Sequence, residues 1–365
     1  MNESTGKLDL SSGDWAEVRS KEEILATLDE KGQLDQLPFM PEMFKYCGQR
    51  FRVWKRAHKT CDTVNRTGGR RMTNAVHLQE LRCDGQAHGG CQADCLLYWK
   101  EAWLKPVGPG GKPNAANDTA AIQIAPPKTA PKCGEQCVFA GTRVAGQQNE
   151  TDPTYVCQTT QLPAATTLLK WWDVRQYWED WISGNVGLGR MLASFIYAGY
   201  NRVCRSRLRL GPFLQWLYDR FQSLRNGVPF PNRMGLVPEG QPTPTGKLNL
   251  QPGELVRIKS YAEILATLDG ASKNRGLYFG NEEVPFCGGT YRVKSRVARI
   301  INERTGKMME FKNESVILDG VYCEARYSDK RLFCPRSIYP MWREIWLERV
   351  TEASAQQGDK QKGKC

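Results

Sequence analysis

The chain has 365 residues, 40% of them hydrophobic and 25% charged, with a formal net charge of +12. This is the balance of an ordinary soluble globular protein, long enough for two or three domains. The longest apolar stretch, Met191 to Tyr200, is far below the ~20 residues of a spanning helix, which excludes a transmembrane segment, and the positive charge favours an anionic partner: nucleic acid, acidic protein or a membrane surface.

The N-terminus, Met1 to Gly13, is polar and lacks the apolar core of a secretory signal, so a cytoplasmic location is expected. In that compartment the 13 cysteines should be mostly reduced, and some are available to hold metal.

A module at residues 5–104 returns at residues 245–347. Thr5 to Val53 aligns without a gap on Thr245 to Val293, with 21 identities in 49 pairs. The run Glu23 to Asp29 equals Glu263 to Asp269, and Cys47-Gly48 meets Cys287-Gly288. After small gaps, Cys83 meets Cys323, and Trp99 to Leu104 meets Trp342 to Leu347. The chain is therefore an internal duplication.

In the first module Arg50, Arg52, Lys55, Arg56, Lys59, Arg66, Arg70 and Arg71 lie close together, with Phe51 and Trp54 between them. Cations so placed hold phosphates, and exposed rings stack on bases, so Arg50, Arg52, Lys55, Arg56, Arg70 and Arg71 are candidate anion-binding residues. A solvated face is the structural alternative.

All three histidines, His58, His77 and His88, fall in this module. The tightest cluster is Cys83-x4-His88-x2-Cys91-x3-Cys95. Zinc takes four thiolate or imidazole ligands, and a Gly-containing loop such as Gly89-Gly90 lets close ligands wrap one ion. Cys61 is a further ligand or substitute. The second module has Cys287, Cys323 and Cys334 opposite Cys47, Cys83 and Cys91, but no histidine, and Ile338 stands where Cys95 would be. Cys47 and Cys287 read better as small core residues. The same residues also allow a nucleophile: Cys91 or Cys95, with His88 or His58 as base and Asp62 or Asp84 as orienter.

Residues 105–132 are rich in Pro, Gly, Ala and Asn and read as a linker. The insert at 133–227 brings Cys133-x3-Cys137 and Cys157. Cys133 and Cys137 with Cys91 and Cys95 would make a four-thiolate site for zinc or an iron–sulfur cluster. Apolar spacing in the insert predicts helices over Thr167 to Ile182, Leu188 to Cys204 and Pro212 to Leu224, with their stripes packed against the modules. The alternative for them is binding to a membrane surface through neighbouring arginines. A Pro-rich linker at 228–244 follows and reads as poorly ordered.

In the second module Leu255 to Ile258 is a predicted strand, and Ser260 with Glu263 forms a capping box. Tyr291 to Ile301 is a strand turned by Arg304 to Lys307 into Met308 to Phe311, and Val316 to Leu318 is another. Residues 348–365 read as a disordered tail. The expected class is α+β: two homologous small β-barrel-like modules flanking a helical insert.

Two resemblances add to this. Gly253 to Ile258 and Tyr291-Arg292-Val293 resemble SH3-like barrels of the KOW kind. Cys47 to Val53 with Gly89 to Leu104 resembles an uncharacterised family of duplicated, cysteine-rich bacterial proteins. That resemblance implies a bacterial origin and no mechanism. The leading reading is a zinc-binding duplicated binding module with a basic surface. Its alternative is an enzyme whose first module is active and whose second is structural.

Overall fold

The computed structural model describes residues 8–108, 133–147, 151–205, 211–225 and 227–351. It is a mixed α/β structure of small antiparallel sheets and a few helices. The chain divides into two units. The first holds the residues up to Met191 with Arg299–Met309 and Asp329–Ser337; the second holds Leu192–Ala298, Glu310–Ser328 and the chain from Ile338 on.

In the first unit a five-stranded sheet runs in the order Trp99–Lys100, Ala75–Leu78, Arg50–Arg56, Trp15–Val18, Leu104–Val107. Trp15 lies opposite Arg52, and Val18 opposite Leu104. Ala16 and Val18 are buried and their neighbours half-exposed, the alternation of a strand covered on one face. The short helix Lys21–Leu25 covers that face. Its N-terminus is held by the Ser20–Glu23 capping box, and Ile24 enters the core. A 3-10 turn, Glu101–Trp103, joins the two outer strands and buries Trp103 completely. Trp103 Nε1 donates to Thr27 Oγ1 at 3.0 Å, and Phe39 meets the edge of its ring.

The second unit also carries a five-stranded sheet. Its sheet runs Trp342–Arg343, Met308–Leu318, Thr290–Ile301, Leu255–Ile258, Leu347–Arg349. The 3-10 turn Glu344–Trp346 joins its outer strands, and Trp346 Nε1 donates to Thr267 Oγ1 at 2.9 Å. Ser260 and Glu263 again form the capping box of Tyr261–Leu265. Because this cap satisfies N–H groups that the helix cannot, Ser260→Ala should lower stability by about 1 kcal/mol. Urea denaturation of the variant, followed by tryptophan fluorescence, measures the loss.

Among the described residues the sheets stay open and none closes into a barrel. The second repeat's predicted segments Met308 to Phe311 and Val316 to Leu318 are one strand, Met308–Leu318. In the first repeat the matching hairpin is broken by a register shift between Val53 and Lys55. Its far end forms a separate sheet, Lys59–Cys61 with Gly69–Arg71. The third strand of that sheet is Thr167–Leu169, so the predicted helix from Thr167 starts only at Arg175.

The region taken as the first linker begins as a strand, because Lys105 lies opposite Glu17; residues 109–132 of that prediction lie outside the described residues. The Pro-rich stretch at 228–244 is held at particular points. Phe230 is fully buried, and the Leu236 and Val237 amides donate to Leu265 and Leu268 at 2.9 Å. The tail prediction falls on a last strand ending at Arg349, and residues 352–365 lie outside the described residues.

The helices Leu188–Cys204 and Gly211–Leu224 stand where predicted. Their apolar stripes, and that of Arg175–Ile182, do not pack against the modules. Trp178 is 60% exposed, while Gln176 and Asp180 of the same helix are buried. The physical reason in Arg175–Ile182 is that its inward positions are occupied by polar groups serving Lys59 and His58. Among the described residues no helix is long and apolar enough to cross a membrane.

Candidate metal centre

Three side chains, one from the 3-10 turn after Met40 and two from a single loop, meet in the first repeat. Glu42 stands on the 3-10 turn Pro41–Tyr46, where a proline at the first position presets the backbone. Cys83 follows the strand Ala75–Leu78, and its amide donates to Cys95 O at 2.8 Å. His88 ends the 3-10 turn Gln86–His88, which is bracketed by Gly85 at φ 71° and Gly89 at φ 75°. Both glycines are required there. A Cβ on Gly85 would fall on the Cys91 carbonyl, and one on Gly89 would lie 2.5 Å from the Tyr155 hydroxyl. This tight loop folds His88 back over Cys83, with Nε2 3.3 Å from Sγ.

The ligand atoms of Glu42, Cys83 and His88 all lie within 4.8 Å of one another, and among the described residues they form the one such group. Glu42 and His88 are buried. Burial raises the Glu42 carboxyl above its ordinary value and pushes the His88 imidazole down to about 4. The Cys83 thiol is driven well up, first by burial and then by the Glu42 carboxylate. The Cys83 thiol sits beside Glu42, yet neither Glu42 oxygen receives a hydrogen bond of good geometry from a described residue, nor does His88 Nδ1 have a partner. Buried polar atoms left so are rare, and each calls for an explanation such as an ion.

The second repeat supplies an internal comparison. Glu282 is the counterpart of Glu42 in the gapless alignment. There the carboxylate accepts from the backbone amides of Arg326 at 2.9 Å and Tyr327 at 2.6 Å. The same residue type is therefore bound by two backbone amides where no histidine is present, and faces a thiol and an imidazole where one is.

Cys83 and His88 also line a small cavity of about 30 Å³ with Cys91, Cys95, Cys157 and Glu303. That is room for a water or two. Of the cluster predicted from spacing, the structure thus brings Cys83 and His88 together and sets Cys91 and Cys95 on the cavity wall. Cys91 Sγ accepts from Ile301 N at 3.3 Å, and the Cys95 thiol is raised by full burial. Glu42 was missed. Its visible signal was its identity with Glu282 in the other repeat, which by itself does not distinguish a ligand from a backbone cap.

The remaining predicted residues lie elsewhere. Cys61 pairs with Cys334, whose Sγ accepts its amide at 3.1 Å. Cys133 and Cys137 are joined to each other as a disulfide and are not brought together with Cys91 and Cys95. His58 contacts Gln176 O and Asp180, and does not line the cavity with Cys91 or Cys95. Asp62 accepts from Asn65 N, Thr67 and Arg70; Asp84 pairs with Lys45.

The predicted anion-binding stripe is largely neutralised from within. Arg50 pairs with Glu17, Arg56 with Asp9 and Arg71 with Glu179. Arg52 donates to Gly13 O, and Lys55 lies over the Trp54 ring. Arg70 is buried and donates to Asp62, Pro163 O and Thr166, so it cannot reach a phosphate. No protein-family model matches this chain, and comparison with curated proteins finds no relative.

Proposed function

We propose that the protein is a metal-binding protein that holds one zinc ion through Glu42, Cys83 and His88. The observation that carries this reading is the convergence of the buried Glu42 carboxylate with Cys83 and His88, where Glu282 of the other repeat is instead bound by two backbone amides. A divalent cation with a Cys83 thiolate, a Glu42 carboxylate and a neutral His88 is a neutral assembly, which a buried site tolerates. The mixed sulfur, nitrogen and oxygen set suits zinc, and its tetrahedral bonds place ligand atoms about 3.3–3.8 Å apart. Reaching that from the observed spread takes a side-chain adjustment of roughly 1 Å. Three protein ligands leave a fourth position, and the cavity beside Cys83 and His88 is where a water or a further thiol would supply it.

Two features bear on the fold and on the enzyme alternative. The shared strand order, with a 3-10 turn joining the outer strands, supports reading each repeat as an SH3-like module. The Cys83–His88 pair without metal is a poor nucleophile and base, because burial raises the thiol and lowers the imidazole, opposing a thiolate–imidazolium pair.

Elemental analysis of protein purified without an affinity tag is the test. About one zinc per chain is expected, and Cys83→Ser or His88→Ala should weaken zinc by more than about 100-fold. Cys287→Ser, in the other repeat, should leave the content unchanged. Metal-free protein that also fails to take up added zinc, or full zinc content in Cys83→Ser, would overturn the assignment.

A further inference from the structure

In the second unit two helices are amphipathic the wrong way round. Along Gly211–Leu224, Phe213, Trp216, Leu217, Phe221 and Leu224 are exposed, Trp216 by 59% and Phe213 by 58%. The opposite face, carrying Gln215, Tyr218, Asp219 and Gln222, is the half-buried one. Leu188–Cys204 repeats the pattern from Leu192 on. Ser194, Tyr197, Asn201 and Cys204 are buried, while Leu192 and Ile196 are each 62% exposed. These spacings of three and four place each set on one side of its helix.

The inward faces explain how such helices are held. Tyr200 Oη donates to Leu214 O at 2.5 Å, Tyr218 meets Phe230 edge-on, and Phe230 is fully buried. Asp219 accepts from Phe230 N at 2.7 Å and pairs with Arg233. So the polar side of Gly211–Leu224 is anchored by specific bonds, which fixes the apolar side outward. Soluble proteins rarely expose apolar helix faces of this kind unless something covers them.

The charges around the face select the cover. Asp219 is the one acidic residue of the two helices, and it is turned inward to Arg233. Arg205, Arg220 and Arg225 are exposed, and Arg225 lies over the Phe221 ring. The chain as a whole carries a net charge of +12. A second copy seated on this face would add its own positive charge to these arginines and bring no acidic partner from the two helices. A leaflet of anionic lipid offers them phosphates instead, and offers Trp216 and Phe213 the boundary where aromatic rings reside.

We propose that this face docks on a membrane surface rich in anionic lipid. Leu192, Ile196, Phe213, Trp216, Leu217 and Phe221 enter the acyl boundary, and Arg205, Arg220 and Arg225 meet the headgroup phosphates. The helices lie in the interface and do not span it. This binding is independent of the zinc reading and needs no residue of that site.

Co-sedimentation of the full chain with phosphatidylcholine vesicles, with and without phosphatidylserine, is the test. Binding is expected to the phosphatidylserine vesicles, and to fall as salt is raised, because exposed charges are screened. Phe213→Ser with Trp216→Ser should weaken it at least tenfold. These replacements are on an exposed face, so the far-ultraviolet dichroism should not change. Arg220→Glu with Arg225→Glu should remove the preference for anionic vesicles. Binding to neither vesicle would overturn the proposal, as would vesicle binding that the Phe213 and Trp216 changes leave intact. A dimer in light scattering that those changes dissolve, with no vesicle binding, would assign the face to a second copy.

Discussion

Asp180→Ala is expected to lower the stability of the first unit by about 3–5 kcal/mol, the cost of leaving a buried charge without its partner. Lys59 Nζ donates to Asp180 Oδ2 at 2.5 Å, and both residues are buried. The ammonium also lies over the Tyr177 ring at 5.0 Å and the Phe333 ring at 5.6 Å. On the other oxygen, His58 Nε2 stands 3.3 Å away. Burial lowers the Lys59 ammonium and pushes the Asp180 carboxyl up to about 6, so at neutral pH the pair is held charged mainly by the two groups' own attraction. Taking away Asp180 leaves a cation among aromatic rings with no counter-charge. Lys59→Met combined with Asp180→Leu should cost far less than Asp180→Ala alone, since both charges then leave together. Urea denaturation at pH 7.5 measures each. A loss under about 1 kcal/mol for Asp180→Ala would show that water reaches Lys59 and that the cluster is not buried as described.

This cluster shows where the sequence could be read and where it could not. Local signals were legible. The Ser260–Glu263 capping box, the strand Leu255–Ile258 and the helix Leu188–Cys204 stand at the residues their patterns predict. What the patterns lack is a direction. Helical periodicity defines an apolar face and a polar face, and the usual assumption turns the apolar one inward. In Arg175–Ile182 that assumption fails because Asp180 answers Lys59, a residue 121 positions away. The partners within the basic stripe were equally hidden, since Arg71 is answered by Glu179 and Arg56 by Asp9. The candidate metal centre was half legible. Cys83 and His88 are close in sequence on a loop whose glycines give the tight turn away, whereas Glu42 arrives by a fold that only the three-dimensional structure supplies.

His58, His77 and Asp180 together are expected to destabilise the first unit by roughly 3 kcal/mol between pH 7 and pH 5, chiefly through the two histidines that the fold keeps neutral. His58 and His77 are buried, and burial pulls both imidazoles down to about 3. His77 Nδ1 lies 2.9 Å from Leu97 O, and its ring lies against Tyr98. His77 Nε2 and His58 Nδ1 have no hydrogen-bond partner among the described residues, so neither ring has a ready acceptor for a second proton. In the unfolded chain each histidine titrates near its ordinary 6.5. Between pH 6.5 and about 3 the unfolded state therefore binds more protons than the folded state. Stability is then complete above pH 6.5 and falls as the pH drops below it. Each histidine accounts for about 2 kcal/mol between pH 7 and pH 5. Asp180 works in the opposite sense. Its folded value of about 6 lies above its unfolded one, so it takes up a proton in the folded state and offsets about 1 kcal/mol. The expected profile is nearly flat from pH 8 to pH 7 and steep below pH 6.5, read by urea denaturation at each pH. His77→Gln, which keeps a polar group but cannot charge, should lose about 2 kcal/mol less than the parent over the same interval. Equal stability of the parent at pH 5 and pH 7 would mean that these rings are not held neutral by burial.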